Sequence, residues 1–120
     1  NMLSRFTNFL TEDGEKEWRN RDTEFEEQQL SKEELLQKWE DGWACVLNAI
    51  NHLTEDDLLQ TISIRTEELT VMDALNRQMA HYPYHVGQIV FIGRMIKNKD
   101  WLSLSIPKGA SDEFNRQMKK

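Results

Sequence analysis

Apolar residues recur at steps of three and four positions along two long stretches of the chain, which is the spacing of one face of an α-helix. The first stretch follows Ser31, and Glu34 stands three residues after that serine in the pattern of a capping box. The second stretch follows Thr70, another residue that commonly caps helices. The pattern predicts two long helices, over residues 32 to about 52 and 71 to about 98.

The first ten residues also follow helical spacing, and no capping residue stands ahead of them. We therefore expect a helix up to about Leu10 and a protein that continues upstream of Asn1. Residues 11–30 are dense in charge, with Trp18 and Phe25 among their few apolar side chains. This composition predicts a polar surface connection that the two aromatic rings pin to the core.

Two shorter elements complete the predicted fold. Residues 61–65, TISIR, alternate in the manner of a strand and predict an extended segment or a small hairpin. Ser111, followed by two acidic residues, predicts the cap of a short tail helix. Together the elements predict an all-α fold in which residues 1–120 form a single helical-bundle domain with at least one helix absent from the chain.

Charge and composition exclude several classes of partner. The net charge of −6 and the pI near 5.1 argue against nucleic acid, because binding to phosphates depends on lysine and arginine. No apolar run approaches the roughly 20 residues that a membrane-spanning helix needs. Cys45 is the single cysteine and cannot form an internal disulfide. We expect a soluble cytoplasmic protein.

Two of the three histidines, His81 and His85, lie four residues apart on the second long helix. Residues at this spacing lie one turn apart on the same face, so the two imidazoles can bind one metal ion. Gln78 and Gln88 lie nearby and are candidates for contacts to the histidines or to a substrate. We expect this face to point into a bundle interior. The spacing alone is equally that of ordinary histidines that form hydrogen bonds.

A catalytic metal site usually needs a third protein ligand. The remaining histidine, His52, ends the first long helix, far from the pair along the helix axis in either packing direction, and is a poor third ligand. The missing ligand is then a carboxylate, a bound small molecule or a residue upstream of Asn1. Pro83, between the two histidines, predicts a helix kink, which either adjusts how the imidazoles converge or is a tolerated bend.

Three stretches of the chain, RNRDTEF, HYPYHVGQI and SLSIPKG, together resemble the DinB-like superfamily of metal-dependent four-helix bundles, in a branch known as a domain of unknown function. The resemblance spans essentially the whole chain. It implies a four-helix bundle that is often dimeric and that in this chain lacks the first helix and part of the second. It also implies a divalent metal (Zn, Ni or Fe) held by three histidines. His81 and His85 match two of them, and the third is expected upstream of Asn1. His52 matches no family ligand.

Other members of the superfamily are thiol-dependent enzymes, such as bacillithiol S-transferases. The resemblance therefore implies a metal-dependent enzyme, either a thiol-dependent S-transferase or a hydrolase, that acts on a small molecule and uses a low-molecular-weight thiol. No side chain stands out as a general base. The alternative is a non-catalytic helical bundle that forms a homodimer as an interaction or stress-related protein. Fold analogy alone does not decide between these functions.

Overall fold

The computed structural model describes residues 1–119. Its elements, in chain order, are α1 (Met2–Phe6), α2 (Lys32–Asn51), β1 (Thr61–Ile64), β2 (Glu67–Thr70), α3 (Val71–Lys97) and α4 (Ser111–Met118). Single 3-10 turns occur at Asp22–Phe25, Asp56–Leu59 and Asn98–Asp100. The chain is mostly helical, as the all-α prediction states, with one small two-stranded sheet. A four-helix bundle stays a prediction.

The chain divides into two compact units, Asn1–Gln78 and the residues from Met79 onward. The first unit contains α1, α2, the sheet and the start of α3, and its core is formed by Phe6, Phe9, Val46, Ile62, Ile64, Val71 and Ala74. The second unit contains the rest of α3 and α4. The assignment of residues 1–120 to one domain stays a prediction. None of the helices in the described part of the chain is long and apolar enough to cross a membrane.

The two long helices lie where the sequence predicts them, and both begin at the predicted caps. The Ser31 hydroxyl accepts from the N–H of Glu34, and the Glu34 carboxylate accepts from the N–H of Ser31, which completes the capping box. At the start of α3, the hydroxyl of Thr70 accepts from the N–H of Asp73. In α4, however, the predicted cap is wrong: Ser111 is the first helical residue, and the preceding alanine offers no side-chain cap.

The opening helix is shorter than predicted. It ends at Phe6 instead of about Leu10, and Asn8 then adopts a positive φ of 49°, a conformation that a helix cannot contain. The turn brings the ring of Phe9 back onto Phe6, with ring centroids 4.9 Å apart. Both phenylalanines are buried, so the early end of the helix serves core packing. Helical spacing alone does not distinguish this turn from a further helical turn.

Residues 11–30 were predicted to be a polar surface connection, but this segment forms several hydrogen bonds to the sheet. The carboxylate of Asp13 accepts the backbone N–H groups of Glu15, Arg65 and Thr66 and the hydroxyl of Ser63. Arg65 and Thr66 both have positive φ values and form the two-residue turn between the strands. The carboxylate therefore holds the N–H groups of this turn in place.

The predicted aromatic anchors of the same segment are wrong. The side chains of Trp18 and Phe25 lie exposed, at 62% and 72% of their full accessible area. The segment is held instead by Arg19, whose side chain is only 5% exposed and forms ion pairs with Glu15 and Glu24 at 2.9 and 2.8 Å. These arginine contacts are partly buried and join residues close together in the sequence.

Candidate functional site

The candidate site lies on the part of α3 that belongs to the second unit. His81 and His85 occupy successive turns of this continuous helix, and their Nε2 atoms are 3.2 Å apart. The two rings are perpendicular, with centroids 4.5 Å apart. Pro83 lies between them inside the helix. The predicted convergence of the two imidazoles is therefore present in the structure.

The separation of the two nitrogens fits a shared metal ion. A metal–imidazole bond measures about 2.0–2.1 Å, so two nitrogens 3.2 Å apart correspond to an angle of about 100° at a common metal. This angle lies between those of octahedral and tetrahedral coordination. Two imidazoles give the nitrogen ligands that zinc, nickel and ferrous iron accept. The pair fits as two neighbouring ligands of one ion.

A hydrogen-bonded chain extends from His85 along the same face of the helix. Its Nδ1 lies 3.0 Å from Oε1 of Gln88, and Nε2 of Gln88 donates to the hydroxyl of Tyr84 at 3.2 Å. The ring of Tyr84 also packs against the imidazole of His85, with centroids 5.3 Å apart. Gln88 was a candidate from the sequence. Tyr84 was missed, although its spacing of four residues from Gln88 is the available signal.

The site faces solvent, which corrects the expectation that the histidine face points into a bundle interior. His81, His85, Gln88 and Tyr84 are all exposed. The neighbouring apolar side chains of α3 are exposed as well, because no described residue of the second unit covers them. The histidines therefore do not need a metal to offset burial. Their closeness results from helix geometry and their own hydrogen bonds.

Gln78 and His52 lie in the first unit. The side chain of Gln78 is buried at 7% exposure, and its Oε1 has no hydrogen-bond partner within residues 1–119. Its predicted contact to the histidines or a substrate stays a prediction. Nδ1 of His52 lies 2.6 Å from the carbonyl oxygen of Asn48. Over the described residues, no group of three or more His, Cys, Asp or Glu side chains is arranged to hold a metal.

A family model described as a protein of unknown function (DUF1572) matches residues 1–110, and the chain belongs to that family. No curated protein and no solved structure matched the chain. The family description states no activity.

Proposed function

We propose that the chain is a metal-dependent enzyme in which His81 and His85 hold one divalent ion, Zn, Ni or Fe(II), through their Nε2 atoms. The observation that supports this proposal is the separation of 3.2 Å between the two Nε2 atoms. Solvent exposure of the pair supports a catalytic use, because a reacting group can reach the ion directly.

The third ligand is proposed to be a histidine upstream of Asn1, as in the DinB-like proteins that the chain resembles. When bound, a divalent ion of this kind supplies a nucleophile at neutral pH by lowering the pKa of a coordinated water or thiol. The chain's own residues then have separate tasks. His81 and His85 bind the ion, Gln88 orients His85, and Gln78 is a more distant candidate for substrate contact.

The reaction class that we propose is thiol-dependent S-transfer or hydrolysis on a small molecule in the cytoplasm, with a low-molecular-weight thiol as the co-substrate of the transferase. This part of the proposal depends on resemblance to the DinB-like superfamily and is an analogy between folds.

A second candidate function, a homodimeric interaction module without catalysis, is favoured by a different observation. The last turns of α3 expose apolar side chains along one broad face of the helix, namely Ile89, Phe91, Ile92, Met95 and Ile96. A broad apolar helix face is normally covered by other protein. In this alternative, a second copy of the chain covers the segment, and the histidines bind no metal.

The deciding experiment measures bound metal by elemental mass spectrometry after dialysis without chelator. We expect about one equivalent per chain, and its loss in the double variant His81→Ala/His85→Ala. The matched control is His52→Ala, which removes a histidine from the first unit and should leave the metal content unchanged.

If neither this chain nor one extended upstream of Asn1 retains metal, the enzyme proposal is wrong. Sedimentation equilibrium on the same samples then tests the alternative. A dimer that is converted to monomer by Ile92→Glu, a substitution within the exposed segment, would support the interaction module.

A further inference from the structure

The first unit contains a cleft between the turn that follows α1 and the end of α2. Its volume is about 280 Å³, just below the range of about 300–1,000 Å³ that holds drug-sized ligands, so the cleft suits a molecule of about one ring. Most of the side chains that line it are apolar, namely Phe6, Phe9, Leu10, Ala49 and Leu53. None of these residues belongs to the proposed metal site.

Both walls of the cleft are held in place by backbone hydrogen bonds. In the turn after α1, the carbonyl oxygen of Asn8 accepts the N–H groups of Thr11 and Glu12 at 3.0 and 3.1 Å. The side chain of Gln60 donates to the carbonyl oxygen of Leu10 at 3.0 Å and fixes the same turn from the loop before the sheet. The other wall is the regular last turn of α2. The cleft is therefore preformed, which lowers the entropic cost of binding a ligand.

His52 offers a hydrogen-bond acceptor at the edge of the cleft. Its Nδ1 lies 2.6 Å from the carbonyl oxygen of Asn48, and a carbonyl oxygen can only accept, so Nδ1 must carry the hydrogen. In the neutral ring, Nε2 is then an acceptor. Within residues 1–119, neither this Nε2 nor the side-chain amide of Asn48 has a hydrogen-bond partner, and both side chains line the cleft.

The charge around the cleft limits the ligand to a neutral molecule. No charged side chain occurs among the described residues that line the cleft, so an ionised ligand would find no counterion there. The first unit as a whole contains 18 acidic and 8 basic residues, which disfavours anions further. A neutral ligand with an apolar body and one hydrogen-bond donor fits these features best.

We propose that this cleft binds a neutral single-ring alcohol or phenol, whose ring lies against the apolar lining and whose hydroxyl donates to Nε2 of His52. An aromatic ring suits the cleft because Phe6 and Phe9 both border it, and contacts between aromatic rings add to the gain from burial. The site uses neither His81 nor His85, so the proposal does not depend on the metal-dependent function proposed above.

The first test is titration of the protein with phenol, followed by NMR of the backbone amides. At about pH 8, imidazole is ordinarily neutral and a phenol keeps its proton. We expect saturable chemical-shift changes confined to residues 6–11 and 48–53, the two walls of the cleft. Changes along the exposed apolar face of α3, without changes in these two segments, would overturn the proposal.

The second test compares phenol with anisole, its methyl ether, which has the same ring but no hydroxyl donor. Because a typical hydrogen bond changes binding by about two- to tenfold, anisole should bind the unchanged protein more weakly by about that factor. In His52→Ala the acceptor is missing, so phenol and anisole should bind with equal affinity. Equal affinity in the unchanged protein, or an undiminished difference in His52→Ala, would refute the role of His52.

A pair of alanine substitutions on α2 tests the location of the ligand. Ala49→Leu fills the cleft with a larger side chain and should abolish the saturable shift changes. Ala44→Leu is the matched control, because Ala44 is an exposed residue of the same helix that does not line the cleft. Phenol binding that persists in Ala49→Leu would contradict the proposal. If Ala49→Leu does not fold, the comparison of phenol with anisole on the unchanged protein still decides.

Discussion

Replacement of Asp13 by asparagine should destabilise the first unit, because the carboxylate joins the segment before α2 to the turn between the strands. Oδ1 accepts from the N–H groups of Glu15 and Arg65, and Oδ2 accepts from the Ser63 hydroxyl and the N–H of Thr66. Asparagine has the same shape but keeps only one acceptor oxygen and carries no charge. The substitution therefore tests the hydrogen bonds with little change in packing.

The loss of stability in Asp13→Asn depends on the orientation of the asparagine amide. If the amide oxygen of the asparagine accepts from Glu15 and Arg65, its NH₂ group can donate to the Ser63 hydroxyl, which rotates to accept. The same NH₂ group then faces the N–H of Thr66, and two donors cannot form a hydrogen bond. One hydrogen bond is then lost and two lose their charged acceptor. Hydrogen bonds to charged groups contribute about 1.5–3 kcal/mol and neutral ones about 1, and the Arg65 and Thr66 bonds are exposed, so we expect a loss of about 2 kcal/mol.

The effect should also depend on pH. Burial opposes ionisation of Asp13, but the hydrogen bonds from Ser63, Thr66, Glu15 and Arg65 outweigh it and hold the pKa of the carboxyl far below its ordinary value. A carboxyl with a depressed pKa in the folded state stabilises the protein above its unfolded pKa, near 3.9. That stability is lost as the pH falls toward the folded pKa. The difference between the unchanged protein and Asp13→Asn should therefore shrink below about pH 4.

The assay is urea unfolding at pH 7 and at the lowest pH at which the protein stays folded, together with amide hydrogen exchange at Arg65 and Thr66. Asp56→Asn is the matched control, since it removes the same charge from an exposed 3-10 turn. Equal urea midpoints for the unchanged protein and Asp13→Asn at pH 7 would refute the reasoning. A difference that does not change with pH would refute its electrostatic part.

Two further predictions concern packing and capping. Gly14→Ala should lower the free energy of unfolding by about 1–3 kcal/mol, because the added Cβ would lie 3.0 Å from Cγ1 of the buried Ile64. Gly87→Ala in α3 adds a Cβ that meets nothing within 4 Å, so it should be neutral or stabilising by up to about 1 kcal/mol. Thermal unfolding of both variants tests this contrast. Ser31→Ala removes the cap of α2 and should lower the free energy of unfolding by about 1 kcal/mol. Amide hydrogen exchange should become faster only in the first turn of that helix. A uniform change in exchange along the helix would contradict this prediction.

The features that the sequence predicted correctly are those set by residues a few positions apart. The limits of α2 and α3, the capping box at Ser31, the hairpin near residues 61–65 and the convergence of His81 and His85 all follow from local spacing. The contact between Gln88 and His85 also joins residues only three positions apart. Tyr84 could have been found by the same rule, applied one step further along the helix face.

The features that the sequence missed depend on distant residues. The turn after Phe6 is stabilised by packing of Phe9, and Asp13 binds N–H groups more than 50 positions away at Arg65 and Thr66. The prediction that the histidine pair points into a bundle interior was also wrong, because burial of a helix face depends on which elements cover it. Periodicity gives the direction of a side chain relative to its helix and leaves its surroundings undetermined.

The contrast between features set by nearby residues and features set by distant residues applies to the proposed metal site as well. The distance between the Nε2 atoms of His81 and His85 is set by one helix, so the two-ligand clamp needs no tertiary structure beyond α3. Two imidazoles on a helix accept several divalent metals, and the choice among them depends on the number, type and geometry of all the ligands. In the proposed site, the identity of the metal and the reaction would therefore depend on the third ligand, while Gln88 would affect how tightly the local clamp binds. Variants of Gln88 should change affinity for zinc and nickel in parallel, and only changes to the third ligand should alter the preference between them.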